Sequence, residues 1–275
     1  MVPQPLTTGP VHRPFRFGLL RFAIRIVARL LFRVRLEGAE HLPSGPAMYC
    51  ANHLNWSDPL LLLSVLPAAP KLAMFGPKEE DMTKGGRNRL IVWAGFGIPY
   101  RPAKSDLLET TRRVQRVLAD GWVIVIFGEG RIHRGERELL PLAEGTAFFA
   151  LRAGVPIVPI AINGTSWLGF RRTIRVRAGE PIVPSGRATR ERVAALTQET
   201  EKALLELVAD ARDLQPSGTV GRWLTEVFND WPEGVRPRLG QGDAAGTDLA
   251  SRAAPAARRP LGAEVVAPVP EPPVG

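Results

Sequence analysis

The chain has few of the residues that build disulfide-bonded or metal-held structures. Its 275 residues include one cysteine, Cys50, so no intramolecular disulfide forms and no cysteine cluster is available for a metal. The four histidines are scattered, which argues against a histidine metal site as well. Hydrophobic residues make up 45% of the chain and charged residues 23%, which is typical of a globular protein. We therefore expect a hydrophobic core without metal, in which Cys50 acts as a small buried hydrophobe.

Acidic residues are absent from positions 1–35. The same stretch holds seven arginines: Arg13, Arg16, Arg21, Arg25, Arg29, Arg33 and Arg35. It therefore carries +7 of the net charge of +9, which leaves +2 for the other 240 residues. Proteins that bind nucleic acids more often carry their basic patch on the folded domain. The charge distribution thus argues against a nucleic-acid partner.

Residues 1–34 are predicted to form a basic amphipathic helix. On a helical wheel, Arg21, Arg25, Arg29 and Arg33 fall on one flank, and Leu19, Leu20, Ala23, Ile26, Val27, Leu30 and Val34 fall on the other. The segment has no long apolar run, and an arginine near the bilayer centre costs about 2.5–3.5 kcal/mol, which argues against a spanning helix. The arginines also interrupt any signal-peptide core. We expect the helix to lie in the interface of an anionic membrane, with an ordinary surface helix as the alternative.

Residues 35–231 are predicted to form one α/β domain. Strands are expected at Val34–Gly38, Ala47–Ala51, Lys71–Phe75, Gly97–Arg101, Trp122–Phe127, Ile157–Ile162 and Ile174–Arg177. Helices are expected at Pro59–Leu66, Arg89–Ala94, Ser105–Ala119, Leu142–Ala153 and Thr189–Ala211, with a short helix around 220–231. This alternation favours a sandwich with helices on both faces of a sheet. Residues 232–275, rich in Ala, Pro and Gly, are predicted to be a disordered tail.

An imidazole and a carboxylate lie five positions apart, directly after an apolar run. They are His53 and Asp58. Histidine is the usual proton acceptor in catalysis, and a carboxylate on its second nitrogen orients the ring and stabilises the imidazolium. The pair predicts a general base with its orienting group. Two structural interpretations remain open, since Asp58 precedes Pro59 and would suit a helix N-cap, and His53 would suit a structural role.

Three further segments follow this pair in order. They are Gly-Ile-Pro-Tyr-Arg at 97–101, Phe-Gly-Glu-Gly-Arg at 127–131, and Val-Pro-Ile-Val-Pro-Ile at 155–160 leading into Asn-Gly-Thr at 163–165. With Asn52, His53 and Asp58, they resemble the lysophospholipid acyltransferase family, of the 1-acyl-glycerol-3-phosphate acyltransferase type. The similarity covers roughly residues 35–215. It implies an α/β fold of the glycerolipid acyltransferase type, with a mixed sheet covered by helices behind the N-terminal amphipathic helix.

The resemblance implies a role for each site residue. His53 matches the general base and Asp58 its orienting carboxylate. Arg101 matches an arginine that contacts the phosphate of the acceptor, and a planar guanidinium suits phosphate oxygens. Glu129, Gly130 and Arg131 match the acceptor-binding loop. For Arg101 and Arg131, a surface salt bridge is the structural alternative.

The third segment departs from the family form Phe-Pro-Glu-Gly-Thr-Arg. Gly128 replaces the proline, Arg131 takes the threonine position, and Ile132 takes the arginine position. Glycine is expected to make this loop more flexible. Arg131 or Arg134 is expected to supply the cation that the family places at position 132. The departure leaves the identity of the acceptor open.

The resemblance implies an O-acyltransferase that moves a fatty acyl group from a thioester to the free hydroxyl of a lysophospholipid. The expected acceptor is 1-acyl-glycerol-3-phosphate, giving phosphatidic acid, with acyl-CoA or acyl carrier protein as donor and no further cofactor. Alternatives are another lysolipid acceptor, such as an ornithine lipid, or a non-catalytic protein that binds membrane lipids. We expect a peripheral protein on the cytoplasmic face of the membrane.

Overall fold

Helices and strands alternate along most of the chain, as predicted. The computed structural model describes residues 13–78, 90–91, 93–100, 107–216 and 218–229. The strands are β1 (Phe32–Glu37), β2 (Ala47–Ala51), β3 (Leu72–Lys78), β4 (Gly97–Tyr100), β5 (Val123–Phe127), β6 (Ile157–Asn163) and β7 (Arg172–Ala178). The helices are α1 (Pro14–Leu31), α2 (Asp58–Val65), α3 (Leu107–Ala119), α4 (Gly145–Ala153), α5 (Arg190–Val208) and α6 (Gly218–Phe228), with a 3₁₀ turn at Ala39–His41.

The seven strands form one mixed sheet in the order β1-β7-β6-β2-β5-β3-β4. Neighbouring strands are parallel, except that β6 and β7 are antiparallel. Strands β2 to β6 therefore all run in one direction. Their carboxyl ends meet at one edge of the sheet, which is where α/β proteins place their ligand sites.

Helices cover both faces of the sheet, which confirms the predicted fold class. Tyr49 and Ala51 of β2 join a core with α1 and α2, whereas Met48 and Cys50 join a second core with α3, α4 and α5. This division follows from the alternation of side chains along a strand. All five residues of β2 are buried, as expected for a strand at the centre of such a sheet.

Some predicted boundaries were wrong. Helix α1 ends at Leu31, so Arg33 and Val34, which we expected on the helix, belong to β1. Helix α4 begins at Gly145 rather than at 142, and α5 ends at Val208 rather than at 211. The predicted tail at 232–275 lies outside the described residues.

Two arginines of α1 bind the protein, which corrects the predicted arginine flank. Arg21 is 5% exposed and donates hydrogen bonds to the carbonyls of Leu66 and Pro67. Arg25 donates from Nε to the carbonyl of Ser64, at 2.9 Å. These carbonyls lie at the carboxyl end of α2, where a helix dipole favours positive charge. Burial, with a smaller contribution from Arg25, lowers the pKa of Arg21 to about 10, so the group remains charged at neutral pH.

The outward face of α1 is apolar. Its exposed residues at helical spacing are Phe15, Leu19, Phe22, Ile26 and Leu30. We call these five residues the α1 stripe. Within the described part of the chain, no helix is both long enough and apolar enough to span a bilayer. The α1 stripe is therefore an exposed apolar surface on a helix whose opposite side is packed on the domain.

Arg21→Met should destabilise the fold, whereas Arg29→Met should not. Methionine approximates the length of the Arg21 side chain but leaves two carbonyl acceptors without their donor, at a cost of about 2–4 kcal/mol. Arg29 is exposed on the same helix, and its loss should change stability by less than about 0.5 kcal/mol. The free energy of unfolding in urea measures both. Equal stabilities of the two variants would contradict a structural role for Arg21.

Candidate active site

Asn52 fixes the loop that follows β2. Its side-chain Nδ2 donates to the carbonyl of Ile162 at 3.0 Å, and its Oδ1 accepts from the Ile162 N–H at 2.7 Å. The amide thus pairs with the backbone of β6 as another strand residue would. Asn52 is fully buried, so it anchors the chain at the carboxyl edge of the sheet immediately before His53.

His53 and Asp58 are hydrogen-bonded. His53 Nδ1 lies 2.9 Å from Asp58 Oδ2. A carboxylate only accepts, so Nδ1 carries the proton and Nε2 presents its lone pair. The imidazole is stacked on Phe127 at the end of β5, with ring centroids 4.1 Å apart, and its side chain is 17% exposed. The geometry is that of a base held in one tautomer and one orientation.

Asp58 is held by the loop that it orients. Its Oδ2 also accepts from the N–H groups of Leu54, at 2.7 Å, and Asn55, at 2.8 Å, and its side chain is fully buried. The side chain reaches back to the loop and does not cap α2, whose N-cap is Ser57. Of the two interpretations left open for Asp58, the structure therefore favours the orienting carboxylate.

Glu129 holds the backbone of His53 from the neighbouring strand end. Its Oε2 accepts the His53 N–H at 2.8 Å, and its Oε1 accepts the Leu140 N–H at 3.0 Å. The Glu129 side chain is fully buried. Both oxygens are therefore engaged by the protein, and Glu129 positions the backbone of His53 in this structure. Its predicted contact with an acceptor stays a prediction.

His133 belongs to the same cluster, and the sequence analysis missed it. Its N–H donates to the carbonyl of His53 at 3.1 Å, and its Nε2 lies 2.9 Å from Glu129 Oε1 as an ion pair. Burial alone would lower the pKa of His133, but the adjacent Glu129 carboxylate, with smaller contributions from Glu138 and Asp58, raises it above its ordinary value. The only sequence signal is its position four residues after Glu129.

Gly128 is closely packed in this structure, and the predicted flexibility of its loop stays a prediction. Its N–H donates to the carbonyl of Ala51 at 3.0 Å, and its carbonyl accepts from Ala143 at 2.8 Å. A Cβ at this position would lie 2.8 Å from Cys50 Sγ and 2.9 Å from the Leu142 side chain. Proline, the residue that the family form has here, would lack the N–H and meet the same neighbours.

The remaining predicted site residues lie on the loop after β5 or outside the described residues. Gly130 closes a turn, with its N–H 3.1 Å from the carbonyl of Phe127 and a φ of 67°, which glycine adopts without strain. Arg131 is half-buried, and among the described residues its guanidinium has neither a hydrogen bond nor an ion pair. Arg101 lies outside the described residues, directly after β4 in the sequence. Both cation assignments stay predictions.

Two side chains near His53 with nucleophilic groups are unsuited to covalent catalysis. Burial raises the pKa of the Cys50 thiol to about 12, so it is protonated at neutral pH. The hydroxyl of Ser57 is buried and donates to Asn55 Oδ1 at 3.0 Å. In the described ranges, no group of three His, Cys, Asp or Glu side chains is placed to hold a metal ion. The base and its carboxylate are the reactive groups that the geometry favours.

Ile132 and Arg134 complete the account of this loop. Ile132, at the family's arginine position, is 7% exposed and packs inward. Arg134 lies over the ring of Trp167, 4.3 Å from its centroid, in a cation–π contact. Of the two cations expected to replace the family's arginine, Arg134 is thus engaged with an aromatic ring, and Arg131 is the one that the described residues leave without a polar partner.

The comparisons with known proteins concern the domain that carries this site. The model of the acyltransferase family matches residues 33–163, which include the His53–Asp58 pair and the loop after β5. Residues 33–163 of this chain form a domain of the acyltransferase family.

The similar proteins are named for two different acyl acceptors. The 1-acyl-sn-glycerol-3-phosphate acyltransferase of Cocos nucifera is 29% identical over 52% of this chain and 46% of its own. The lyso-ornithine lipid O-acyltransferase of Brucella abortus is 27% identical over 71% of this chain and 85% of its own. The lyso-ornithine lipid O-acyltransferase of Pseudomonas aeruginosa is 31% identical over 54% of this chain and 55% of its own. The match thus spans about half the length of the plant relative.

A solved structure shares the fold of this chain. It is the 1-acyl-sn-glycerophosphate acyltransferase PlsC from Thermotoga maritima, with a TM-score of 0.58 over 72% of this chain and 81% of that one. The identity is 22%, so the likeness concerns the fold. It supports the arrangement of sheet and helices described above.

The stability contributed by His133 should depend on pH. Because its folded-state pKa is raised above 6.5, the contribution is fully present below about pH 6.5 and is lost as pH rises through the folded-state pKa. His133→Gln keeps a side-chain donor but does not titrate. The free energy of unfolding of wild type minus that of the variant should therefore fall as pH rises from about 6 to 9. A pH-independent difference would show that the Glu129–His133 pair does not depend on protonation.

Proposed function

We propose that this acyltransferase moves a fatty acyl group from a thioester to the hydroxyl of a lysolipid, with His53 as general base. The observation that carries this proposal is the 2.9 Å bond between His53 Nδ1 and the buried Asp58 carboxylate. Glu129, which precedes Gly130 and Arg131 in the sequence, binds the backbone of this partly exposed histidine. A non-catalytic lipid-binding protein would not require an oriented base.

The reaction needs no acyl-enzyme. His53 Nε2 takes the proton of the acceptor hydroxyl as its oxygen attacks the thioester carbonyl. The new C–O bond forms, the C–S bond breaks, and the thiolate leaves and takes up the proton from the imidazolium. Asp58 stabilises the imidazolium while it exists. The products are an ester and a free thiol, with acyl-CoA or acyl carrier protein as the thioester.

Arg131 and Arg101 are proposed to bind the anionic head of the acceptor. Among the described residues, the half-buried Arg131 guanidinium has no competing polar partner, and the open backbone of Gly130 leaves room beside it. A guanidinium pairs with two oxygens of a phosphate or a carboxylate. Holding the head group at a fixed distance from His53 places the hydroxyl next to Nε2.

The head group itself is either a phosphate or an ornithine carboxylate. The plant relatives are named for 1-acyl-glycerol-3-phosphate, which favours phosphatidic acid as the product. The Brucella relative named for lyso-ornithine lipid matches over 85% of its length, and this favours the second acceptor. We place 1-acyl-glycerol-3-phosphate first because its phosphate offers more oxygens to two arginines.

The protein is proposed to work at a membrane surface, on the cytoplasmic face where acyl thioesters are made. The α1 stripe supports this, since five large apolar side chains face away from the domain. Such a face, with exposed arginines such as Arg16 and Arg29 beside it, suits the interface of an anionic bilayer. The acceptor and the product are lipids of the same membrane.

His53→Ala should abolish acyl transfer, and Asp58→Asn should lower it strongly. Loss of a general base costs about 10²–10⁴-fold in rate, and loss of the orienting carboxylate disturbs the tautomer. His41→Gln is the matched control, because His41 lies on the 3₁₀ turn and binds the carbonyl of Ala178. Steady-state transfer to 1-acyl-glycerol-3-phosphate measures the effect, with circular dichroism to check the fold. Near wild-type turnover of folded His53→Ala would disprove the mechanism.

Arg131→Ala and Arg101→Ala should each lower kcat/KM for the acceptor. Each removes a charge-assisted contact of about 1.5–3 kcal/mol, or roughly ten- to hundredfold. Arg137→Ala, an exposed arginine on the same loop, is the control. The assay compares lysophosphatidic and lyso-ornithine acceptors with both donors. If a variant is impaired equally toward donor and acceptor, that arginine does not bind the head group.

A further inference from the structure

Helix α6 has its polar side inward and its apolar side outward. Thr225 is fully buried and Glu226 is 3% exposed, and both face the domain. On the opposite side, Val220 is 71% exposed and Trp223 is 49% exposed. A helix on the surface of a water-soluble protein has the reverse pattern. The exposed side of α6 is therefore built for an apolar environment.

This side adjoins a tight turn that also exposes an aromatic ring. Helix α6 packs on the chain at 168–169, because Thr225 Oγ1 accepts the Leu168 N–H at 3.0 Å and a Cβ on Gly221 would lie 2.1 Å from the carbonyl of Leu168. The next residue, Phe170, is 77% exposed. Arg171 follows and is exposed. Its φ is 57°, a backbone conformation that residues other than glycine adopt at a cost in free energy.

The turn links α6 to α1. The Arg171 N–H donates to the carbonyl of Leu31, at the end of α1, at 2.6 Å. Leu30 and Leu31 are 63% and 42% exposed at this end of the helix. The turn that exposes Phe170 is thus hydrogen-bonded to α1 on one side and to α6 on the other, and both helices expose apolar side chains.

The catalytic loop lies against α6. Trp56, between His53 and Asp58, donates its backbone N–H to Asn229 Oδ1 at 2.9 Å and its indole N–H to the carbonyl of Leu224 at 3.3 Å. Its ring packs on Phe228, with centroids 5.5 Å apart. A partner that contacts the outer side of α6 is therefore separated from the loop of His53 and Asp58 by the thickness of one helix.

We infer that α6 and the Phe170 turn form a second lipid-contacting surface, which places the catalytic loop at the membrane interface. We call the outer side of α6, with Val220 and Trp223, and the Phe170 turn the α6 surface. This deepens the proposed function, since it rests on a lipid acceptor. The α1 stripe and the α6 surface then both contact the bilayer. In this orientation a lysolipid head group leaves the bilayer beside His53.

A lipid bilayer is the occupant that the residues favour. The α6 surface mixes an aromatic ring and an indole with aliphatic side chains, as interfacial segments do. Arg171 and Arg29 are exposed along the same surface and suit anionic head groups. Exposed apolar side chains on three linked segments, α1, the Phe170 turn and α6, favour a partner that is broad and apolar, and a bilayer meets this requirement.

The fluorescence of Trp223 reports whether the α6 surface contacts lipid. Full-length protein is mixed with phosphatidylcholine–phosphatidylglycerol vesicles that carry brominated acyl chains, and fluorescence is compared with that of Trp223→Phe. The difference isolates Trp223 from the other five tryptophans. We expect the Trp223 signal to be quenched by the brominated vesicles and, before vesicles are added, by acrylamide. Shielding from acrylamide in vesicle-free solution would show that a second copy or another part of the chain covers α6, and would overturn the inference.

Val220→Ser/Trp223→Ser should weaken vesicle binding at least about tenfold, because two apolar side chains leave the interface. Leu205→Ser is the control, since Leu205 is 42% exposed on α5, on the opposite face of the sheet. Transfer to vesicle-borne lysolipid should fall more than transfer to a short-chain dispersed lysolipid. Unquenched Trp223 in protein that sediments with vesicles would overturn the inference. Fluorescence quenching does not depend on acyl transfer. Failure of the protein to acylate any of the lysolipid acceptors would therefore refute the proposed function without refuting this inference.

Discussion

The buried carboxylate of Asp58 is the group on which the rest of the site depends. It accepts from His53 Nδ1, Leu54 N–H and Asn55 N–H, so one anion orients the His53 imidazole and closes the loop that carries it. A buried carboxylate is tolerated only when hydrogen bonds replace its hydration. The loop therefore has little freedom to adopt another shape while the charge remains, and the imidazole is held in one tautomer before any substrate arrives.

A second carboxylate holds the same histidine from the other side. Glu129, at the end of β5, accepts the His53 N–H and pairs with His133, whose own N–H returns to the His53 carbonyl. The two strands β2 and β5 are neighbours, so their carboxyl ends bring these groups together. The glycine at 128 follows from this proximity, since the loop passes directly over Cys50. Where the family form has proline, this chain thus places a residue without a side chain against Cys50 and Leu142.

The two terminal helices have an unusual distribution of polar groups. Helix α1 buries Arg21 and exposes Phe22, and α6 buries Thr225 and exposes Trp223. In each, the inward polar group has a defined acceptor or donor in the domain. The apolar side chains Phe22 and Trp223 are exposed on the outward sides of these helices. This is the arrangement expected of elements with protein on one side and lipid on the other.

The sequence by itself determined the strands, most helices and the His53–Asp58 pair. Periodicity and local spacing carry this information, and residues five apart on one loop need no distant partner to be recognised. It did not determine which arginines of α1 face the protein, because a helical wheel gives the faces of a helix but not the direction of the core. His133 and the contact of Trp56 with Asn229 were also decided by the tertiary structure. His133 lies 80 residues from His53, which it contacts, and Asn229 lies 173 residues from Trp56. Only the folded sheet brings such distant segments within hydrogen-bonding distance.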